Sequence, residues 1–323
     1  MTNLSTDFDP ELIQEYFRRK ALETRVFDSG MLKHATRQRM DIPMRNSKVA
    51  HFHKWNELPL ADTVAEGADP AAGVSMTLTE VKVQMEILAS YLDVPKEGDE
   101  ILIDSVIDES YPRFKQQLER TANNKLVTAI SAGNVVSPNS FLPATKIFGG
   151  GTSDYASMVA AGAGLRSKDI QEAVSLLELA GAPKIDGGFV CCLDPIGKKQ
   201  LLKDDSEFRE LISHTTSDML KKGIIGSIGN ARFELQDEPM IQATGTQNTY
   251  NSGGAVRSAY VFGAQAFCVT QLMGKTGLNP KFKVTDTTKT GALMSIGWRT
   301  YFAAAVLDPD WIVQIDFHAG SGS

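Results

Sequence analysis

A chain of 323 residues, 42% hydrophobic and 22% charged, can bury a large core and is long enough for two domains, and its net charge of −6 argues against a dedicated nucleic-acid-binding domain, which carries a basic stripe. Three cysteines argue against a disulfide framework; Cys191 and Cys192, adjacent on a predicted strand where side chains alternate, read as buried thiols of a reducing cytoplasm. The opening MTNLSTDFDPELIQEY has no basic region followed by an apolar one, and no run of about 18 apolar residues occurs, so neither a signal peptide nor a membrane span is expected.

Residues 1–44 show a short helical pattern (Leu12, Ile13, Tyr16, Phe17, Ala21) without a sustained apolar stripe, the mark of an arm held by something else. Residues 17–48 hold nine Lys or Arg against three acids, which fits a solvated basic arm at least as well as a nucleic-acid footprint. RNSKVAHFHKW (45–55) alternates as a strand. Its partner is SMTLTEVKVQMEIL (75–88), where Val81, Val83, Met85 and Ile87 alternate with Lys82, Gln84 and Glu86, and a change of phase predicts a bulge near Thr79 and Glu80. Between them NELPLADTVAEGADPAAG is longer than a compact domain spends on a structureless connection. A long hairpin with a long tip, beside an arm without a core, predicts a surface that needs a neighbour.

EGDEILIDSVIDES (97–110) carries six acids and no base, and the pattern then becomes helical, with Phe114, Leu118, Ala122, Leu126, Ala129 and Ile130 on one face. This is the longest predicted helix, with a break at Pro112 and a stop at Gly133-Asn134. KIFGGGTSDYASMVAAGAGLRSKD (146–169) holds five glycines. It lacks the third glycine and the leading strand of a dinucleotide fingerprint and the Lys of a Walker loop, so a flexible loop that orders on assembly is preferred to a phosphate cradle. Ser167 is the predicted N-cap of the helix that Gly181 and Pro183 end.

Beyond residue 186, GFVCCL reads as a buried strand and Asp194-Pro195 as a helix start, with a further short helix over EFRELIS. ARFELQD, VRSAYVFGAQAFCVTQL, LMSIGWRTYFAAAVL and WIVQIDF supply strands, the last two joined by a turn at Asp308-Pro309-Asp310, and QATGTQNTYNSGGA is a polar loop. Strands follow helices without strict alternation, which predicts an α+β fold. Catalytic constellations are sparse. His51 and His53 share a strand face without a third ligand in register; His214 fits a helix end; Trp298 and Trp311, on predicted neighbouring strands, read as core. No H-E-x-x-H, C-x-x-C or G-x-S-x-G motif occurs. No catalytic residue, cofactor site or metal site is assigned.

The stretches TLTEVKVQMEILASYLDV, LERTANNKLVTAISAG, FVCCLDPIGKKQLLKDDSEFRELI and SIGWRTYFAAAVLDPDWIVQIDF, in this order, resemble the major capsid proteins of tailed bacteriophages, the Johnson or Hong Kong 97-like fold, and more closely the N-four-like (enquatro-type) phage capsid family. The resemblance implies an N-terminal arm (1–44), an extended hairpin loop (45–90), a peripheral domain with a spine helix (91–186), an axial domain (187–285) and C-terminal strands returning to the peripheral domain (286–323). It implies a structural, non-enzymatic subunit that forms hexamers and pentamers of an icosahedral head around double-stranded DNA, assembled in the host cytoplasm and located in the virion. Phe52, Trp55, Val81, Arg37 and Arg39 are the expected subunit interface. Expected partners are further copies of the chain, with scaffold, portal and decoration proteins and non-specific contact with packaged DNA, and no membrane. A cellular nanocompartment shell and a nucleotide-binding enzyme using the glycine segment are the alternatives.

Overall fold

The computed structural model describes residues 30–40, 49–55, 58–61, 63, 73–96, 106–132, 145–203, 227–236, 256–272, 281–286 and 292–320. In chain order the elements begin with α1 (Gly30–His34), β1 (Thr36–Met40), β2 (Val49–Trp55), β3 (Leu78–Gln84), β4 (Glu86–Pro95), α2 (Val106–Ala132) and β5 (Thr145–Phe148). They continue with α3 (Tyr155–Ala161), α4 (Ser167–Leu179), β6 (Phe189–Leu193), α5 (Pro195–Lys203), β7 (Ser227–Ile228), β8 (Ala231–Leu235) and β9 (Val256–Phe262), and close with β10 (Phe267–Leu272), β11 (Lys281–Asp286), β12 (Leu293–Val306) and β13 (Ile312–His318). This is the α+β arrangement that the sequence pattern predicts. The polar loop at 242–255, the helix expected over EFRELIS, His214 and the helix stop at Gly133-Asn134 lie outside the described residues.

One sheet has six strands in the order β5-β13-β9-β6-β8-β7. FVCCL shows no alternation because β6 is interior and buried at every residue. The two faces serve two cores: Cys191 joins Phe189, Val261, Ile315 and Phe317 against Ile170, Ala173 and Leu177 of α4, whereas Cys192 joins Tyr260, Phe262 and Ile312 against α2. The second sheet pairs β1, β10, β12 and β11, with β4 also on β12. β12 alternates: Met294, Ile296, Trp298, Thr300 and Phe302 are buried towards α2, while Arg299 faces outward.

α2 therefore lies between the sheets. Leu118, Ala122, Leu126 and Ile130 are wholly buried at i, i+4 spacing, and each large aliphatic side chain contributes about 1.5–3 kcal/mol by leaving water. The break expected at Pro112 is absent, since the helix runs through that residue from Val106. Pro112 stands in the second turn, where its missing N–H removes a single bond from a helix held by burial further on. Trp298 and Trp311 are not on neighbouring strands. Trp298 is in β12 of the second sheet and donates Nε1–H to Gln117 Oε1 at 3.1 Å, and Trp311 ends the short 3₁₀ turn before β13 of the first. That turn is the one read at Asp308-Pro309-Asp310, with the Asp308 side chain accepting from the Asp310 amide at 3.2 Å.

β2 and β3 form the predicted hairpin, antiparallel from Val49 opposite Gln84 to Trp55 opposite Leu78. The irregularity falls at Met85, between β3 and β4, instead of at Thr79 and Glu80. Its effect is a change of phase: Val81 and Met85 are buried, the next buried residue is Leu88, and Ile87 is exposed. β4 then follows β12 over ten paired residues, from Glu86 opposite Phe302 to Pro95 opposite Leu293.

The end of the basic arm is anchored by the chain itself, a correction to the expectation of a segment held only by something else. Met31, Leu32 and Ala35 enter the α2 core, and β1 pairs in parallel with β10, Arg37 opposite Val269 and Arg39 opposite Gln271. One turn of helix and one strand leave the i, i+3, i+4 pattern too short to read.

Candidate functional site: a closed glycine segment and an exposed hairpin

The glycine segment is a packed element. β5 runs into a 3₁₀ turn at Gly149–Gly151, with Gly150 at φ +69°, and α3 follows, capped at Asp154 by a 2.7 Å bond from the Ser157 amide and closed at Gly162 in the left-handed region. This corrects the flexible loop expected from the sequence. The N-cap of α4 is Arg166, and Ser167 is the first helical residue, because Asp169 reaches back to the Arg166 amide at 3.1 Å.

The same carboxylate oxygen accepts from the Gly150 amide at 3.1 Å, and Gln200 Oε1 accepts from the Leu165 amide at 3.0 Å. The amides that an anion would need are thus taken by the chain's own side chains. Burial pushes the Asp169 carboxyl above the ordinary carboxylate range, opposed by the bonds from Gly150 and Arg166. There is no space either: a Cβ on Gly149 would meet the Gly164 carbonyl oxygen at 2.9 Å and Phe317 Cβ at 3.0 Å, and one on Gly164 would meet Gln200 Oε1 at 3.0 Å.

A second polar cluster is sealed inside. Asp316, fully buried on β13, accepts from Tyr155 Oη at 2.5 Å, from Ser258 Oγ at 2.5 Å and from Gln314 Nε2 at 2.8 Å. Burial, reinforced by the Asp316 charge, raises the Tyr155 hydroxyl far above its ordinary value, and burial does the same to Tyr260. Asp194 caps α5, accepting from the Gly197 amide at 2.8 Å, and pairs with Arg257 at 2.8 Å. These groups hold elements together; Asp316 and Asp194 meet no solvent through which a substrate could arrive. Among the described residues no three His, Cys, Asp or Glu cluster as metal ligands, and no helix is long and apolar enough to cross a membrane.

What the surface offers is apolar. Around the far end of the hairpin Trp55 is 60% exposed and Leu60 96%, with Leu58, Val74, Met76 and Leu78 also exposed. Bulky apolar side chains left in water at this density are costly. The open face of the second sheet adds Ile87 and Tyr91, the latter lying across Gly297, where a Cβ would meet Tyr91 Cβ at 3.2 Å.

Of the residues expected at an interface, Trp55 is on this surface, whereas Val81 is 2% exposed and already covered by its own chain. Phe52 lies on β2 and Arg37 and Arg39 on β1, with side chains outside the described residues, as are those of His51 and His53. Leu58 and Leu60 are bulky apolar residues among acids and a proline in a stretch with neither strand nor helix period, and Met76 lies in the stretch read as a strand; none of the three was expected at the surface. His318 Nδ1 accepts from the Gly320 amide at 3.1 Å, a chain-end contact.

No protein-family model matches the chain, and no curated protein matches its sequence. Solved structures do match its fold. The chain superposes on the capsid of Ralstonia phage GP4 with a TM-score of 0.70 at 14% identity, covering 100% of both chains. It superposes on the head structure of Helicobacter pylori bacteriophage KHP40 with a TM-score of 0.70 at 14% identity over 98% of each. The holo-SrpI encapsulin complex of Synechococcus elongatus PCC 7942 follows with a TM-score of 0.56 at 10% identity over 93% of each. The chain has the Hong Kong 97-like fold of phage capsid structures. The likeness is one of fold, shared with phage capsid structures in general and not with the N-four-like family in particular.

Proposed function

We propose that this chain is the major capsid protein of a tailed bacteriophage, a structural and non-enzymatic subunit that assembles into hexamers and pentamers of an icosahedral head. The observation that carries the reading is the end-to-end superposition on capsid chains, with nothing of either chain left over in the Ralstonia phage case. The hairpin supports it independently: exposed Trp55, Leu58, Leu60 and Met76 are costly in water and gain when a sister copy covers them. Contacts of this head-to-tail kind close into rings, and many weak ones joined in a shell are durable together.

In this reading residues 1–44 are the arm, 45–90 the extended loop, 91–186 the peripheral region, 187–285 the axial region and 286–323 the returning strands. Trp55 and Phe52 meet the neighbouring subunit. Arg37 and Arg39, with the rest of the basic arm, face the neighbour or the packaged DNA, which they would hold through phosphates without sequence preference. Scaffold, portal and decoration proteins are further partners, and the particle forms in the host cytoplasm before becoming the virion shell. A cellular nanocompartment is the second reading, motivated by the encapsulin match, whose TM-score of 0.56 stands below the 0.70 of the Ralstonia phage capsid.

Light scattering on the purified full-length chain, beside a variant lacking residues 56–74, tests the assignment. Megadalton particles from the full chain and small soluble species from the deletion are expected. Particles of equal size from both would remove the hairpin from the assembly contact, and a monomer from both would remove the shell.

A further inference from the structure

The hairpin has two unlike faces. Neighbours along a strand point to opposite sides, so the register puts Ala50, Phe52, Val81 and Val83 on one face and His51, His53, Trp55, Leu78, Glu80 and Lys82 on the other. Val81 is buried, so the chain itself covers the first face there. The second is open to water: Trp55 and Leu78 are exposed, and the Glu80 and Lys82 side chains keep 36% and 45% of their surface.

His51 and His53 stand two residues apart on the open face, and β3 supplies the third residue of ligating type that β2 alone lacks. Glu80 is directly opposite His53 and diagonal to His51. On such a ribbon Cβ atoms two residues apart along one strand are separated by about 7 Å, directly opposite ones by about 5 Å and diagonal ones by about 7–8 Å. Two imidazoles and a carboxylate at the corners of a triangle this size can converge on one ion at ligand distances of about 2.0–2.2 Å. Two nitrogens and one oxygen suit Zn²⁺ or Co²⁺ and not the all-oxygen shells of Ca²⁺ and Mg²⁺. The Lys82 ammonium, 3.1 Å from Glu80, is the cation that such an ion displaces, and an exposed pair of this kind is weakly held.

We propose that the open face of the hairpin is a binding site for a zinc-class dication, with His51, His53 and Glu80 as its three protein ligands and a fourth position left to water. A two-stranded hairpin is marginal by itself, and an ion shared by β2 and β3 pins their register beside the exposed Trp55. The site is complete within one hairpin, so its test is independent of whether the protein forms shells.

The test is titration calorimetry on the full-length protein, free of any affinity tag, with Zn²⁺ alone, and the visible absorbance of Co²⁺ in its place reports the coordination. The three cysteines are buried and do not compete for the ion. One ion per chain is expected, and His51→Ala or His53→Ala weakens its binding by at least about tenfold, the loss typical of a supporting residue alone. Glu80→Gln, which keeps the side chain's shape and removes its charge, is expected to act in the same direction, whereas Lys82→Ala tightens binding. His318→Ala, at the chain end, is expected to change nothing. Bound Zn²⁺ is expected to slow amide exchange in β2 and β3 and to leave β12 as it was. No binding, binding that survives the joint loss of both histidines, or an affinity indifferent to Glu80→Gln would overturn the site.

Discussion

Tyr155 and Asp316, 161 residues apart, meet inside the protein, and the Tyr155 hydroxyl donates to the carboxylate at 2.5 Å. Removing the hydroxyl in Tyr155→Phe leaves a buried charge short of one donor and is expected to lower stability by about 1.5–3 kcal/mol. Chemical denaturation with an unchanged slope measures it; a loss below about 0.5 kcal/mol would mean that water replaces the hydroxyl.

The same burial gives a pH dependence. Tyr155 and Tyr260 hold their protons in the folded protein well above the ordinary value of 10.0. Above pH 10 the unfolded chain releases protons that the folded chain keeps, so stability is intact below that pH and falls above it, by about 1.4 kcal/mol per pH unit for each group. Tyr155→Phe is expected to decline less steeply with pH than the wild type between pH 10 and 11. Equal slopes would show that the hydroxyl titrates normally.

In the glycine segment, Gly149→Ala drives a methyl group against the Gly164 carbonyl and Phe317 and is expected to cost about 1–3 kcal/mol. Because Asp169 and Gln200 already occupy the local amides, millimolar phosphate is expected to leave the melting temperature of the wild type unchanged. A dose-dependent rise would restore the anion-site reading.

Burial pushes the Cys191 thiol up to about 12, and Cys192 and Cys268 are buried as well. All three are expected to resist alkylation in the native protein at pH 8 and to react on unfolding, counted by mass spectrometry. Rapid native labelling of any of them would place a channel where the cores are closed.

The two sides of the hairpin separate folding from association. Val81→Ala removes buried methyl groups and is expected to destabilise the chain by about 2 kcal/mol. Leu60→Ser, at a residue 96% exposed, is expected to change stability by less than about 0.5 kcal/mol while weakening particle formation. Thermal melts and particle yield measured on both variants distinguish the roles.

The sequence shows most clearly what local periodicity specifies. The face from Phe114 to Ile130, the hairpin, the opposite-facing Cys191 and Cys192, and the Asp308 turn follow from spacing alone. The misreadings share a cause in contacts distant along the chain. Pro112 is tolerated because the later turns of α2 are buried between two sheets, and Arg166 becomes the N-cap because Asp169 also serves Gly150. At Val81 alternation gives a face without saying what covers it, and the chain's own packing covers it. The exposed Leu58 and Leu60 lie in a stretch without period, where only their apolar character among acids marked a surface.

Electron microscopy of the purified full-length protein tests most directly whether sister copies cover the hairpin. Closed shells of uniform diameter, with density from one subunit continuing over Trp55 and Leu60 of the next, are the predicted result. Single molecules whose hairpin is folded onto their own body, burying those two residues without a partner, would contradict it.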